Sequence, residues 1–341
     1  MARCIELAEK ARGKTYPNPI VGSVIVHKDR IIGEGYHMKA GEAHAEINAI
    51  NSVKDQSLLK DSTIYVSLEP CAHFGKTPPC ADRIAQLGFR HVFIGAVDFH
   101  EKVNGKGIQI LKNAGIEVTT GVLEKECRLL NKRFFTFHQK KRPYLVLKWA
   151  QSADGFIDRD FRPEKISNAV VNQYVHQLRA EEHAILVGTH TALADNPSLT
   201  TRNVPGRNPV RILIDADLKV PFDSRIYNEE SETIVLNTVK NSEEQHIRFL
   251  KFDRENYLPS VLKALHSVEI QSVLVEGGAF TLNKIIEAGL WDESFVISNP
   301  ELFLKSGTRS PAIDLKPQSE FLVRNNLIRL YRNPQDIRAD G

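Results

Sequence analysis

The chain has 341 residues with a formal net charge of +3, 42% hydrophobic and 26% charged residues, and four cysteines. That length favours two domains, the composition is that of a globular protein, and so small a net charge gives no electrostatic case for nucleic acid. No apolar run is long enough to cross a bilayer and "MARCIELAEKAR" reads as an amphipathic helix, not a signal peptide, so we expect a cytoplasmic protein in which four cysteines make no disulfide framework and those clustered with His suggest metal.

In chain order, the first 120 residues alternate in type. "ARCIELAEKAR" reads as helix, "VGSVIVH" and "RIIGEGYH" as a strand pair, and "AEINAINSV" as helix. "STIYVSL" is strand, "CADRIAQLG" helix, "HVFIGAV" strand, "GIQILKNAG" helix and "IEVTTG" a short strand. This is an α/β sandwich with a central sheet. "LEKECRLLNKRFFTFHQ" reads as one further helix, which the basic, proline-containing "KKRP" stops. The expected boundary is therefore near residues 138–143, with domains at 1–138 and 143–341.

A second α/β series follows. "YLVLKWAQS" is strand, "AVVNQYVHQLRAEE" helix, and "AILVG", "PVRILID", "ETIVLN" and "SVLVEGG" are strands. "AFTLNKIIEAGL" is helix and "ESFVIS" strand. Continuous Val/Ile/Leu runs predict a largely parallel sheet buried on both faces. No internal repeat or low-complexity tract interrupts either half.

The chemistry concentrates in "GEAHAEINAI" and "SLEPCAHFGKTPPC". His44 and Glu46 fall at the start of a helix, Cys71 in a turn after a strand, and Cys80 where the next helix begins. His44, Cys71 and Cys80 can fill three corners of a tetrahedron and leave the fourth open, as a catalytic zinc requires. Glu46, two residues from the histidine, can take a proton from the metal's water and hand it to a leaving amine. An H-x-E followed by P-C and a second Cys is the general pattern of zinc deaminases. A lone His-x-Glu is more often an ordinary helix surface, but "HAE", "EPC" and "PPC" in this order weigh against that. Cys4 and Cys127 have no such context and read as core. Nucleic-acid deaminases commonly separate the cysteines by two residues, whereas here eight, "AHFGKTPP", intervene. That insert carries His73 and Lys76, which can hydrogen-bond an anionic or polar substrate.

In the second half, "VEGGAFTLNKII" is a strand, a double-glycine turn and a helix, whose first N–H groups can hold phosphate. It is not a G-x-G-x-x-G fingerprint, so a standard Rossmann site is not supported. "GTHTALADNPSLTTR" puts Asp195 and Arg202 in one polar loop after a strand, a place where ligand sites or merely solvated loops occur.

With "YPNPIVGSVIV" and its Asn18, these features resemble one family, the bifunctional riboflavin-biosynthesis deaminase/reductases of the RibD/RibG type. "NPIVGSVIV", "GEGYHMKAGEAHAE", "SLEPCAHFGKTPPC" and "GKGIQILKNAGIEVTTGVL" follow that family's order, and the resemblance covers nearly the whole chain. It implies an N-terminal cytidine-deaminase-like three-layer sandwich and a C-terminal dihydrofolate-reductase-like α/β domain. It implies one Zn2+ per chain on His44, Cys71 and Cys80, with Glu46 as proton shuttle, and Asn18, His37, His73 and Lys76 on the pyrimidine or its ribose phosphate. In the second half, it implies that Ala150, Thr191, Asp195 and the stretch Gly278, Ala279, Phe280 and Thr281 line an NADPH site. Lys148, Ser167, Arg179, Leu199, Arg202 and Glu276 would contact the ribosylaminopyrimidine, the arginines being suited to its phosphate. The chain departs from the pattern in "KISN" for "WITG", in Pro163 for a serine, in "DFHEKVNGKG" for an Asp-Pro-Asn-Pro turn and in His183 for Asp.

The expected function is deamination of 2,5-diamino-6-ribosylamino-4(3H)-pyrimidinone 5′-phosphate, followed by NADPH-dependent reduction of the ribosyl side chain to a ribityl chain. We expect phosphorylated pyrimidines as partners, no nucleic acid or membrane, and a homo-oligomer, dimer or tetramer. One alternative is a single-activity zinc deaminase with an inactive, nucleotide-binding C-terminal domain. Another is a tRNA- or DNA-binding deaminase, disfavoured by the cysteine spacing and the absence of a basic-aromatic stripe.

Overall fold

The computed structural model describes residues 1–72, 78–98 and 104–334. The chain divides into two compact units, Met1–Lys141 and Arg142–Gly341.

The N-terminal unit runs α1 (Ala2–Glu9), β1 (Gly22–His27), β2 (Arg30–Tyr36), α2 (Ala45–Ser52), a 3-10 turn (Gln56–Asp61), β3 (Thr63–Leu68), α3 (Cys80–Leu87), β4 (His91–Ala96), α4 (Lys106–Asn113), β5 (Glu117–Thr119), α5 (Glu124–Leu130) and α6 (Lys132–Lys140). Its sheet has the order β2-β1-β3-β4-β5, antiparallel across β2, β1 and β3 and parallel from β3 to β5. One face carries Ile25, Ile64, Val66, Val92 and Ile94 under α2, α3 and α4. On the other, Cys4 and Leu7 of α1 cover Val24, and Cys127 of α5 packs with Leu68 and Ala96. The three layers follow from strands whose alternate residues are apolar on both sides.

Two local choices position the first site. Gly33 and Gly35 of β2 let α2 settle directly on the strand, since a Cβ on Gly35 would lie 2.2 Å from the Ala49 nitrogen. Asn48 of α2 then donates from Nδ2 to the Tyr36 carbonyl at 2.9 Å and to the Ala43 carbonyl at 3.2 Å. The single helix expected over "LEKECRLLNKRFFTFHQ" is two. At Asn131 the backbone leaves the helix (φ −108°). There the Asn131 side chain pairs with the Ile20 backbone, Nδ2 donating to its carbonyl and Oδ1 accepting its N–H, both at 2.9 Å. A buried amide with two satisfied bonds outweighs one helical hydrogen bond.

The C-terminal unit runs β6 (Tyr144–Ser152), β7 (Asp158–Arg159), β8 (Arg162–Pro163), α7 (Ala169–Glu181), β9 (Ala184–Gly188), α8 (Thr189–Asp195), β10 (Val210–Ile214), a 3-10 turn (Arg225–Tyr227), β11 (Thr233–Asn237), β12 (Ser242–Glu244), β13 (Ile247–Lys251), α9 (Tyr257–Ser267), β14 (Ser272–Val275), α10 (Ala279–Glu287), β15 (Glu293–Asn299), β16 (Ser319–Val323) and β17 (Asn326–Arg332). The large sheet has the order β12-β13-β11-β10-β9-β14-β6-β15-β17-β16. From β13 through β15 every neighbouring pair is parallel. The outer pairs β12/β13, β15/β17 and β17/β16 are antiparallel. β6 shows why the run reads as continuously apolar: Leu145, Leu147 and Trp149 pack under α9 and α10, while Tyr144 and Val146 face Leu178 of α7 and Ala192 of α8. Part of the expected polar loop is helix, because α8 occupies Thr189–Asp195 and Arg202 lies on the segment beyond it. Helix α9 and the β12/β13 and β16/β17 pairs were not expected from the sequence.

Candidate active sites

In the N-terminal unit, His44 is the N-cap of α2, Cys80 opens α3 after Pro79, and Cys71 follows β3. His44 Nδ1 stands 3.5 Å from Cys71 Sγ and 3.3 Å from Cys80 Sγ, and the three ligand atoms lie within 4.8 Å of one another. A tetrahedral zinc with bonds of about 2.0 Å to nitrogen and 2.3 Å to sulfur separates such atoms by roughly 3.5 Å. Donor set and spacing therefore fit zinc. The helix start contributes directly, since the Cys80 backbone N–H donates to Cys71 Sγ at 3.3 Å. A hydrogen bond from the Cys80 thiol, with His44 alongside, holds the Cys71 thiol well below its ordinary range. Cys80 is correspondingly pushed up, which makes Cys71 the more readily ionised of the two thiols.

Glu46, in the first turn of α2, is 3% exposed. Burial, followed by the Cys71 charge, raises its carboxyl to about 7, a value suited to taking and returning a proton near neutral pH. A bound cation would act against this rise. His37 Nδ1 lies 3.1 Å from the Ala43 carbonyl and Nε2 lies 3.1 Å from Asn18 Nδ2. With the proton assigned to Nδ1, the ring donates to Ala43 and accepts from Asn18. Burial pulls the His37 pKa down, keeping it neutral, and its ring meets that of His44 at a centroid distance of 5.3 Å. The structure thus brings Asn18, His37, His44, Glu46, Cys71 and Cys80 together. His73 and Lys76 lie outside the described residues.

One residue the sequence reading missed supports this centre. Glu69, two residues before Cys71 and 4% exposed, accepts from the backbone N–H groups of Asp98, Gly105, Gly107 and Ile108 at 3.0–3.3 Å. It ties the cysteine-bearing turn to the start of α4. An acid between a buried strand end and Pro70 was the only hint in the sequence.

In the C-terminal unit a cavity of about 920 Å³ opens at the ends of β6, β9 and β14. These are the carboxyl ends of the parallel strands, where the strand order reverses and ligands of open α/β sheets bind. Lys148, Ala150, Ser167, Thr191, Asp195, Glu276, Gly278, Ala279 and Phe280 all line it. Arg179, Leu199, Arg202 and Thr281 do not. Leu199 and Thr281 are buried, at 3% and 4% exposure. Arg179 stands behind the wall and makes a bidentate pair with Glu276, both bonds 2.9 Å. Lys148 Nζ lies 3.5 Å from Glu276 Oε2. Burial alone would raise the Glu276 carboxyl, but Arg179 and Lys148 outweigh it and hold it at about 2.

The double glycine has a steric reason. A Cβ on Gly277 would lie 2.3 Å from the Val187 Cα, and Gly278 sits at φ +47°. Helix α10 starts on the cavity with no side-chain cap at Gly278, and Phe280 is 64% exposed. Uncapped helix amides suit a dinucleotide's phosphates, and an open aromatic face suits one of its rings. The residues present therefore fit NADPH.

Comparison with known proteins agrees in both units. The RibD C-terminal domain family matches residues 143–337, and the cytidine and deoxycytidylate deaminase zinc-binding region matches residues 1–96. The riboflavin biosynthesis protein RibD of Aquifex aeolicus is 41% identical over 89% of this chain and 86% of its own length. That of Escherichia coli K12 is 36% identical over 89% of this chain and 87% of its own. A Thermotoga maritima structure described as a diaminohydroxyphosphoribosylaminopyrimidine deaminase/5-amino-6-(5-phosphoribosylamino)uracil reductase covers 98% of this chain and 97% of that one, with 35% identity and a TM-score of 0.89. Acinetobacter baumannii RibD, at 31% identity, superposes with a TM-score of 0.87 over 96% of each chain. This chain belongs to the RibD family, bifunctional enzymes of riboflavin biosynthesis that join a cytidine-deaminase-type, zinc-dependent hydrolase to an NADPH-dependent reductase of dihydrofolate-reductase-like fold.

Proposed function

We propose that the N-terminal unit deaminates 2,5-diamino-6-ribosylamino-4(3H)-pyrimidinone 5′-phosphate and that the C-terminal unit reduces the ribosyl chain of the product to ribityl. The observation that carries the first step is the buried Glu46 carboxyl beside three converging zinc ligands. Zinc on His44, Cys71 and Cys80 supplies Lewis-acid activation of water for attack on the amine-bearing ring carbon. Glu46 holds the water's proton on its carboxylate and returns it to the departing nitrogen, so water enters and ammonia leaves. Asn18 and the neutral His37 orient the pyrimidine, with His73 and Lys76 assigned to the same substrate.

NADPH supplies the hydride for the second step. Gly278, Ala279, Phe280 and Thr281, with Ala150, Thr191 and Asp195, bind and orient the dinucleotide. Lys148 and Glu276, the latter held from behind by Arg179, form the wall that the open-chain ribosyl group meets, with Ser167 and Leu199 beside it, and Arg202 holds the phosphate. Residues 1–138 and 143–341 are the units to which these roles are assigned. We place the enzyme in the cytoplasm, a reading supported by four unpaired cysteines. We expect a dimer or tetramer, supported by Phe321 and Leu322, 38% and 66% exposed on edge strand β16. Incubating the protein with the diaminopyrimidine phosphate, with and without NADPH, tests both steps. Mass analysis should find the aminouracil alone without NADPH and the ribityl product with it. Substrate recovered unchanged with zinc-loaded protein contradicts the proposal.

A further inference from the structure

Helix α7 is fastened at two points to the segment that carries Arg202. Arg179 Nη1 donates to the Thr200 carbonyl at 3.3 Å, and the Arg202 backbone N–H donates to His176 Nδ1 at 3.2 Å. His176 and Arg179, three residues apart, share one face of the helix. The segment is itself tightly turned: Leu199 has φ +53°, and Thr201 binds Asn208 Oδ1 and the Arg207 carbonyl, both at 2.9 Å. Arg179 is committed to Glu276, while the Arg202 side chain is exposed. The direction of Arg202 therefore depends on its backbone, whose N–H ends on a histidine that is 8% exposed.

We propose that His176 is a positioning residue of the reductase, fixing through the Arg202 N–H the segment that offers Arg202 to the substrate's phosphate. This rests on the assignment of Arg202 to that phosphate made above. Accepting at Nδ1 requires the neutral ring, protonated at Nε2. Burial, then Arg179 on its own helix and Arg202 across from it, keep the ring neutral; Glu276 beyond β14 and the ring's hydrogen bond to the Thr200 backbone oppose them and are outweighed. Acidification puts a proton on Nδ1, where it faces the Arg202 N–H instead of accepting from it, and adds a positive charge beside two arginines. Arg202 is then released while NADPH and the cavity wall stay in place. The signature is a KM effect confined to the phosphorylated substrate.

Full-length protein is assayed for reduction of 5-amino-6-(5-phosphoribosylamino)uracil as wild type, His176→Leu, His176→Asn and Arg202→Ala. Asn places a carbonyl oxygen near the Nδ1 position and does not titrate. His176→Leu should raise that KM on the order of tenfold, with kcat, the KM for NADPH and deamination unchanged, and His176→Asn should restore it to within about threefold. The ratio of wild-type to His176→Asn KM, in which ionisation of the substrate phosphate cancels, should rise as pH falls through the depressed His176 pKa, below the ordinary histidine range. The inference is overturned if His176→Leu leaves the KM unchanged while Arg202→Ala raises it, if His176→Asn is as impaired as His176→Leu, or if the ratio is flat with pH. An Arg202→Ala protein with wild-type KM removes the phosphate assignment first, and this inference with it.

Discussion

The two centres differ in how the chain assembles them. The zinc ligands come from residues no more than 36 positions apart, each at a helix start or strand end, and their chemistry is carried by rare residue types in fixed order. The reductase cavity draws Lys148 from β6, Thr191 from the helix after β9 and Glu276 from the end of β14. Its polar groups are common residue types made special only by what faces them. A short-range centre is chemically all-or-none, whereas a cavity built from three strand ends degrades by degrees.

Removing a ligand should show the sharp side of this contrast. Cys80→Ser should reduce zinc, about one per chain in the wild type, and lower deamination by roughly a thousandfold or more. Reduction of supplied aminouracil phosphate should continue. Full zinc occupancy with full deamination in this variant would remove Cys80 from the site.

The graded side is tested at Glu276. Glu276→Gln leaves Arg179 and Lys148, at 13% and 15% side-chain exposure, without their anion, and such a loss typically costs about 3–5 kcal/mol. Both tryptophans, Trp149 and Trp291, belong to the C-terminal unit, so urea unfolding followed by tryptophan fluorescence reports that unit. An unchanged midpoint would mean that the pair is not structural.

A smaller effect is expected at Glu69. Glu69→Ala leaves backbone N–H groups of the α4 start unpaired, at about 1–3 kcal/mol for a buried unsatisfied group. Zinc should leave faster to a chelator and deamination should fall, while reductase kinetics stay put. Equal damage to both activities would argue for general unfolding instead.

The last is a pH effect on the C-terminal unit, slight just below neutral pH and growing with acid. Burial, then Arg207, lowers the His183 pKa to about 3, and Nδ1 accepts the Gln271 N–H at 3.2 Å. An unfolded histidine titrates near 6.5, so between those values the unfolded chain binds more protons. Stability is then full above about 6.5 and is lost as pH falls through the window. Glu276 adds a second loss, from its unfolded value down towards about 2. His183→Asn should flatten the first part of the tryptophan-monitored stability profile, between about pH 6.5 and 4.5, and leave the second.

Where the sequence was legible, local pattern and local chemistry agreed. The parallel strands read as apolar runs because both faces are buried, and "HAE", "EPC" and "PPC" sit at element ends because helix starts stabilise thiolates. It was illegible where a distant partner decides. Asn131 splits a helix for the sake of Ile20, and Glu69 acquires its role only from amides about 30–40 residues onward. His176 is one more polar helix residue until the Arg202 segment folds against it. The polar run that contains α8 was read as loop because Asp and Asn outweigh about two helical turns' worth of pattern.

The central claim is that the two chemistries occupy separate sites, with Glu46 serving only the first. Glu46→Gln keeps the side chain's size and removes its base. In two separate steady-state assays of a folded, zinc-loaded variant, deamination should fall by roughly a thousandfold, while reduction of supplied 5-amino-6-(5-phosphoribosylamino)uracil by NADPH keeps its wild-type rate. Loss of both activities together, or deamination that persists, would contradict it.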